Sequence, residues 1–267
     1  MKKMILMVGV LMMAVASFAA GNVKLDASAY ETIAGLQSAK DTTGLKAFLG
    51  TLAPDTATQK LYVAATLIGA DYTAGVKVAN IDACRALATL YASQVGITTP
   101  AEITAVELRA IYYASDMCSS AGILKADAYA FYKTIATPTD SDKELGMYLA
   151  YYSGDVANAL AIGESQLNKN YVVLSMMSSA DPAKCFTYSK KALLSQNCSV
   201  GQVTEVLTRL WNMDLSDTTI TEEQQYKFLC AVNGKYSQML VTDKANWESI
   251  VTRIQTAIAA LKLQLGK

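Results

Sequence analysis

Residues 99–113 read TPAEITAVELRAIYY, which is a helix start followed by a helical apolar stripe. Thr99 and Glu102 have the spacing of a capping box, in which two side chains satisfy N–H groups at the beginning of a helix. Pro100 then falls at the first helical position, where a backbone N–H is not needed. Apolar side chains follow at positions 103, 106, 110 and 113, which share one face of a helix. The stretch therefore predicts an α-helix that begins at Pro100.

Similar start signals recur along the rest of the chain. Five more pairs have capping-box spacing: Ser28 with Glu31, Thr56 with Gln59, Ser141 with Glu144, Ser199 with Gln202 and Thr221 with Gln224. Five aspartates are expected to be simple N-caps: Asp41, Asp71, Asp155, Asp181 and Asp243. Apolar residues at helical spacing follow these signals, and strand signals are almost absent. We therefore expect an all-α fold with about 12 or 13 helices joined by short turns.

The composition agrees with a helical fold. The 267 residues are 52% hydrophobic and include only four prolines, fewer than the turns of an all-β protein of this length would need. The chain is long enough to bury a sizeable core. We expect residues 20–267 to form a single helical domain. The proline and polar residues at 137–141 mark a candidate boundary within it, although a turn between repeats is the preferred interpretation.

Three short segments share a pattern of a small residue, an aspartate, and then small and apolar residues. They are ADYTAGV at 70–76, GDVANAL at 154–160 and ADPAKCF at 180–186. The pattern resembles the turn and second-helix start of tetratricopeptide repeats, although the copies are not spaced by that family's 34 residues and Gly163 stands where an aromatic residue is expected. The resemblance implies an α-solenoid of antiparallel helix hairpins that binds partners, and it identifies no binding residues. An irregular helical bundle is the alternative.

The first nineteen residues have the layout of a secretory signal peptide. Lys2 and Lys3 precede an apolar run at 4–16, and small residues at 17 and 19 suit cleavage after Ala19. No cysteine lies near the cut, which argues against a lipid-anchored protein. We therefore expect export to the periplasm or the exterior of a bacterium.

Several classes of function are excluded or disfavoured. The chain contains no histidine, which excludes Ser-His-Asp and Cys-His catalysis and the usual zinc sites. The formal net charge is zero and no basic cluster occurs, so nucleic acid is a poor partner. No apolar run after the predicted signal is long enough to span a bilayer. Phosphate-binding and calcium-binding motifs are absent, and we expect no cofactor and no metal.

The chain has five cysteines, at 84, 118, 185, 198 and 230. We interpret most of them as small apolar residues buried on helices. In an exported protein, Cys185 and Cys198 could close a short disulfide loop, and the odd number leaves at least one cysteine unpaired in a monomer.

Tyrosine is the strongest bias in composition, with fifteen tyrosines against five phenylalanines. Tyrosine combines a large contact face with a polar tip, which suits peptide or sugar recognition in a groove. The candidate binding residues are those of the central third: Tyr112, Tyr129, Tyr132, Tyr148 and Tyr151. The alternative is that these rings fill the space between helices.

These features predict a non-catalytic scaffold that binds a protein or peptide partner in the cell envelope. The competing hypothesis is a glycan-acting enzyme of the envelope with paired carboxylates, for which Glu102 with Glu107, or Glu222 with Glu223, are the candidates. Three of these four glutamates lie in first helical turns, where negative charge stabilises the helix dipole without any catalytic role. A self-associating structural bundle is a third hypothesis.

Overall fold

The computed structural model describes residues 23–117 and 123–267, and this part of the chain is predominantly helical. It contains thirteen α-helices, one short 3-10 helix and, outside them, a single isolated β-bridge between Val23 and Leu52. The prediction of an all-α fold with 12 or 13 helices is confirmed. The predicted signal peptide and Cys118 lie outside the described residues.

The chain divides into two compact units between Ser153 and Gly154. In its described residues the first unit contains seven helices: α1 (Ala27–Ser38), α2 (Thr42–Leu49), α3 (Ala57–Thr73), α4 (Ile81–Gln94), α5 (Pro100–Met117), α6 (Lys125–Tyr132) and α7 (Asp140–Tyr152). Residues 137–141, the candidate boundary, lie inside this unit, and the last two of them begin α7.

The second unit contains six α-helices and the 3-10 helix Ser237–Val241. The α-helices are α8 (Val156–Glu164), α9 (Tyr171–Met177), α10 (Pro182–Ser195), α11 (Val200–Trp211), α12 (Glu222–Tyr236) and α13 (Lys244–Gln264).

Most of the predicted helix starts are confirmed. α5 begins at Pro100, and the Glu102 N–H donates to the Thr99 hydroxyl. The boxes of Ser199 with Gln202 and of Thr221 with Gln224 form in both directions. Further caps are supplied by Thr56, Asp41, Asp155 and Asp181, each of which accepts a hydrogen bond from a backbone N–H of the first turn. The helix starts therefore follow from local sequence.

Two predicted boxes are displaced by two residues. The cap of α1 is Asp26 rather than Ser28, because the Asp26 carboxylate accepts the Ala29 N–H at 3.1 Å. The cap of α7 is Thr139 rather than Ser141, because Thr139 and Asp142 bond to each other's backbone N–H groups at 3.0 and 3.2 Å. Asp243 precedes α13 as predicted, but its carboxylate accepts from the Asn246 side chain instead of a backbone N–H.

The prediction that Asp71 is an N-cap is wrong. Asp71 lies inside α3 and is only 6% exposed. Its carboxylate accepts hydrogen bonds from the Lys46 ammonium of α2 and the Tyr91 hydroxyl of α4, and these partners satisfy a charge that could not otherwise be buried. The segment at 70–76 thus ends a helix, whereas those at 154–160 and 180–186 start one, so the three segments are not equivalent.

In unit 1 each helix packs against the helix that follows it in the chain, and some also pack against the one after that. Every consecutive pair from α1 to α7 packs together, and α5 also packs against α3 and α7. Further ion pairs that connect these helices include Arg85 with Glu107 at 3.1 Å and Arg109 with Asp142 at 2.8 Å. The Arg109 guanidinium also donates to the Ser141 hydroxyl, so α5 and α7 are joined by a buried polar network.

Unit 2 has a continuous apolar core. α9 packs against α10 and α11, α12 packs against α10 and α13, and α11 contacts α10 and α13. The core includes Phe186, Leu207, Phe228, Tyr236 and Trp247, all less than 9% exposed. Its rings meet in pairs, with Phe186 and Phe228 edge to face at 5.2 Å and Tyr236 stacked on Trp247 at 5.1 Å.

Cys185 and Cys198 have free thiols and are not joined to each other. The Cys185 thiol donates to the Ser175 carbonyl at 3.2 Å, and the Cys198 thiol donates to the Ala192 carbonyl at 3.3 Å. Burial raises the pKa of both thiols, which keeps them protonated and unreactive at neutral pH. Cys185 is fully buried inside α10 and fits the interpretation as a small helical core residue, whereas Cys198 is half-buried in the turn between α10 and α11.

Candidate functional site

Two of the five candidate tyrosines are buried between α6 and α7. Tyr129 and Tyr132 are 6% and 7% exposed, and their rings stack at 6.3 Å. The Tyr132 ring lies against Gly146 so closely that a Cβ atom there would overlap it. The Tyr132 ring thus fills space between α6 and α7, and the Tyr129 ring is buried beside it.

The other three candidates are half-buried. The pKa of Tyr112 is raised to about 12, mainly because the ring is buried. The nearby Asp116, Tyr148 and Tyr152 raise it further. The Lys125 ammonium lies 5.8 Å from the Tyr112 ring and forms an ion pair with Asp116 at 2.7 Å. Tyr151 contacts the edge of the Tyr152 ring at 5.4 Å. The structure thus separates the predicted site into a buried pair and a half-buried group.

A different groove in unit 1 has the features expected of a recognition site. This α3 groove is a cavity of about 360 Å³ whose lining includes Gln37, Lys40, Tyr62, Gly69 and Tyr113. Its residues come from α1 and the turn after it, from α2, from one face of α3 and from α5. Four helices of one unit therefore contribute to a single cavity.

The floor of the α3 groove is a stripe of small residues. Ala65, Gly69 and Thr73 recur every four residues along α3, so they lie on one face of the helix. A Cβ atom built on Gly69 would meet no atom within 4 Å. Glycine inside a helix costs about 0.5–1 kcal/mol relative to alanine, and packing within the protein does not require it here. The space above Gly69 is open.

Two tyrosine rings line this floor. The Tyr62 ring contacts the edge of Tyr30 at 5.1 Å, and the Tyr113 ring contacts the edge of Tyr112 at 5.9 Å, so each ring is held by a neighbour. Burial raises the pKa of Tyr62 and of Tyr113, and the proximity of Tyr113 raises that of Tyr62 further. Both phenols are therefore neutral at physiological pH, with hydroxyls that can donate or accept a hydrogen bond.

Lys40 lines the groove from the turn between α1 and α2. Its φ of 55° is left-handed, and among the described residues it is the one non-glycine residue with a positive φ. The turn is closed by the Asp41 N–H, which donates to the Leu36 carbonyl at 3.0 Å. Glycine is the usual residue at such a helix end, and a side chain there costs about 1 kcal/mol. An exposed ammonium group is thus kept beside the groove at a cost in backbone strain.

Sequence reasoning missed this groove. The signal that could have found it is the four-residue spacing of Ala65, Gly69 and Thr73 after a tyrosine at position 62. That spacing is present in the sequence, but it does not tell whether a neighbouring helix fills the space above it.

Three of the four carboxylates considered for catalysis have other partners. Glu107 pairs with Arg85, and the Thr99 hydroxyl donates to Glu102 at 2.6 Å. Glu223 accepts from Lys267 and Lys227, and these ammonium groups lower its pKa. Each of these three glutamates is engaged in holding a helix or a helix end.

Comparison with protein-family models, with curated proteins and with solved structures finds no match to this chain. Within residues 23–117 and 123–267, no group of three or more cysteine, aspartate or glutamate side chains is placed to hold a metal ion. In the same ranges no helix is both long enough and apolar enough to cross a membrane.

Proposed function

We propose that this chain is an exported, non-catalytic helical scaffold, and that a peptide segment of a partner protein in the cell envelope docks in the α3 groove. The observation that carries the proposal is the open space above Gly69, next to two held tyrosine rings and a lysine. Export is supported by the pattern of residues 1–19.

The chemistry of the groove suits a peptide. Tyrosine rings that are already held in place give a large contact area at little entropic cost. The Gln37 amide and the Lys40 ammonium can bind the backbone carbonyls or carboxylates of a peptide. The Thr66 hydroxyl already donates to the Tyr62 carbonyl at 2.8 Å, so it does not need a ligand. A cavity of about 360 Å³ accommodates a few side chains.

We further propose that the helix hairpins stack as an α-solenoid. In both units helices pack against their neighbour and, at several places, against the next helix but one, as they do when hairpins are layered. In such an array alternate helices share one face, which would give the α3 groove its position between α1, α3 and α5.

A peptide-display selection tests the groove and does not require that the partner be identified first. The chain from residue 20 is the bait, and the selected peptides are then measured against Gly69→Leu by fluorescence anisotropy. We expect this variant to fold, because a side chain at Gly69 meets no atom within 4 Å and leucine favours a helix more than glycine does. It should reduce peptide binding by tenfold or more, because the leucine occupies the groove.

The matched control is Gly234→Leu in α12, where a side chain also meets no atom within 4 Å. Peptides should bind this variant as they bind the unaltered chain. A selection in which every peptide binds Gly69→Leu as well as it binds the unaltered chain, or one that yields no peptide, would refute the proposed site.

A further inference from the structure

A second groove, in unit 2, lies between α10 and α12. This lysine groove is a cavity of about 640 Å³. Its apolar residues include Phe186, Leu194, Ile220 and Phe228, and its charged residues are Lys190, Lys191 and Lys227. It shares no residue with the α3 groove, and it is argued independently of the function proposed above.

The floor of the lysine groove is fixed by the core of the unit. Phe186 and Phe228 are less than 9% exposed and meet edge to face at 5.2 Å. Because both rings are packed into the core, the floor is preformed. The exposed Ala231 lies beside them, where a small side chain leaves room for a ligand to approach.

The two walls follow the helix repeat. α10 contributes positions 187, 190, 191 and 194, and α12 contributes 224, 227, 228 and 231. Each set is one face of a helix over about two turns, or roughly 11 Å. Two such faces side by side form the kind of trough into which a third helix lays its apolar face.

The charge of this groove is of one sign. Its charged lining residues are lysines, and none of the described residues that line it is acidic. The Lys191 ammonium lies 5.3 Å from the Tyr171 ring and 5.8 Å from the Tyr188 ring, so its near neighbours include two aromatic rings beside the groove. Lys227 pairs with Glu223 at 3.2 Å, but Glu223 also accepts from Lys267, so its charge is shared between two ammonium groups.

We propose that the lysine groove binds an amphipathic helix of a partner protein, with an apolar face that meets Phe186 and Phe228 and acidic residues on its flanks. Two arguments from the groove select this occupant. The faces of α10 and α12 match the apolar stripe of a helix in spacing and length. The excess of ammonium groups at the rim is complementary to glutamate or aspartate carboxylates on either side of that stripe.

The test uses a synthetic helical peptide of about 18 residues, long enough to form a helix in water. Its leucines follow i, i+3, i+4, i+7 spacing, glutamates flank them, and alanines occupy the remaining positions. Binding to the chain from residue 20 is measured by isothermal titration calorimetry at low and at physiological salt. We expect binding that weakens as salt rises, and that falls at least fivefold when every glutamate of the peptide is replaced by glutamine.

Two protein variants locate the peptide. Lys190→Glu should weaken binding roughly fivefold, since it turns a charge attraction at the rim into a repulsion. Ala231→Trp should weaken it at least tenfold, because the indole occupies the trough. The matched controls are Lys262→Glu and Ala259→Trp on α13, which are exposed positions outside the groove and should leave binding unchanged.

Each other outcome counts against the proposal. No binding of the acidic peptide, equal binding of the glutamine peptide, or equal losses in the test and control variants would overturn it. Binding of dodecanoate that is lost in Lys190→Glu and Ala231→Trp, in place of peptide binding, would assign the groove to a lipid carboxylate. Persistence of peptide binding in Gly69→Leu keeps this test separate from the one for the α3 groove.

Discussion

The two compact units connect their helices by different kinds of interaction. Unit 1 uses charged pairs between helices, one of them buried on both sides and two others with a buried carboxylate. Asp71 binds Lys46 and Tyr91 from the helices on either side of it, and Arg109 binds Asp142 at 2.8 Å with both side chains less than 10% exposed. These interactions hold α2, α3 and α4 together and join α5 to α7.

Unit 2 instead uses side chains that bind backbone carbonyls around an aromatic core. The Lys235 ammonium of α12 donates to the carbonyls of Leu193 and Gln196 at the end of α10, at 2.9 and 2.5 Å. The Tyr236 hydroxyl donates to the Leu193 carbonyl at 3.0 Å, and its ring stacks on Trp247. The carbonyls at the end of α10, which have no donor within their own helix, thus accept hydrogen bonds from α12.

The difference determines how each unit responds to a mutation. A buried charge that loses its partner costs several kcal/mol, whereas a backbone carbonyl that loses one donor can still bind water at a helix end. Unit 1 should therefore be sensitive to single charge changes, and unit 2 should be sensitive to loss of its apolar core. The predictions below test this contrast, beginning with the largest effect.

The largest effect is expected for Asp142→Asn. Asparagine keeps an oxygen that can accept from the Thr139 N–H, but it removes the charge that compensates Arg109. We expect the free energy of unfolding to fall by about 3 kcal/mol, because the Arg109 guanidinium is left buried and unpaired. Urea denaturation measures this loss.

The control is Lys244→Gln, which breaks an ion pair with both side chains more than 60% exposed and should cost less than about 0.5 kcal/mol. Equal effects in the two variants would remove the contrast between buried and exposed pairs.

The second effect is expected for Lys235→Met in unit 2. The change keeps most of the aliphatic stem and removes the ammonium that binds the carbonyls at the end of α10. We expect a loss of about 2 kcal/mol, smaller than for Asp142→Asn, because no buried charge is left unpaired and the Leu193 carbonyl keeps the Tyr236 hydroxyl as a donor. Lys262→Met on the exposed face of α13 should change the stability by less than about 0.5 kcal/mol. A loss in Lys235→Met that exceeds the loss in Asp142→Asn would reverse the order proposed for the two units.

Alkaline pH provides a third test. Burial raises the pKa of Tyr62, Tyr91, Tyr112, Tyr113, Tyr132 and Tyr148 in unit 1, and of Tyr188 and Tyr236 in unit 2. The folded state then holds these protons more tightly than the unfolded state, whose tyrosines titrate near pH 10. Stability should therefore be unaffected below pH 10 and fall between pH 10 and about pH 12, the pKa of Tyr112.

Tyrosinate absorbance and circular dichroism, followed together, measure this alkaline transition. In Tyr112→Phe the fall in stability between pH 10 and 12 should be shallower, since one tyrosine with a raised pKa is gone. Tyr151→Phe, which removes a tyrosine whose charge does not act on Tyr112, is the control, and the fall in stability should be as steep in it as in the unaltered chain. A fall in stability that is equally steep in all three proteins would mean that Tyr112 is not buried as described.

Sequence reasoning succeeded where the determinant is local. A capping box is formed within four residues, so the starts of α11 and α12 at Ser199 and Thr221 could be predicted from the sequence. The position of Asp71 inside α3 could not be predicted, because its neighbours in sequence resemble those of an N-cap such as Asp155. Its actual partners, Lys46 and Tyr91, lie 25 and 20 residues away and become neighbours only when three helices pack.

The candidate site shows the same limit. The abundance of tyrosine in the central third is a property of the sequence, but the burial of Tyr132 depends on Gly146 in the facing helix. Tyr62 and Tyr113 line the α3 groove because no side chain fills the space above Gly69. Such a vacancy is a property of the packed helices, and residue types alone do not reveal it.

The smallest expected effect compares a glycine of each unit. Gly69→Ala and Gly234→Ala both place a methyl group where no atom lies within 4 Å, inside a helix. Each should raise the free energy of unfolding by about 0.5–1 kcal/mol, because alanine loses less backbone entropy on folding. Thermal unfolding measures the gain.

The two alanine variants should differ in binding. Peptides selected on the unaltered chain should bind Gly69→Ala more weakly and Gly234→Ala equally well, because only the first methyl group enters the α3 groove. Lys40→Gly should likewise be more stable and bind less, since it removes both the left-handed strain and the ammonium. Stability gained together with binding lost at both positions would mean that Gly69 and Lys40 are kept for a ligand, whereas stability gained with binding unchanged would mean that the groove is only a gap between helices.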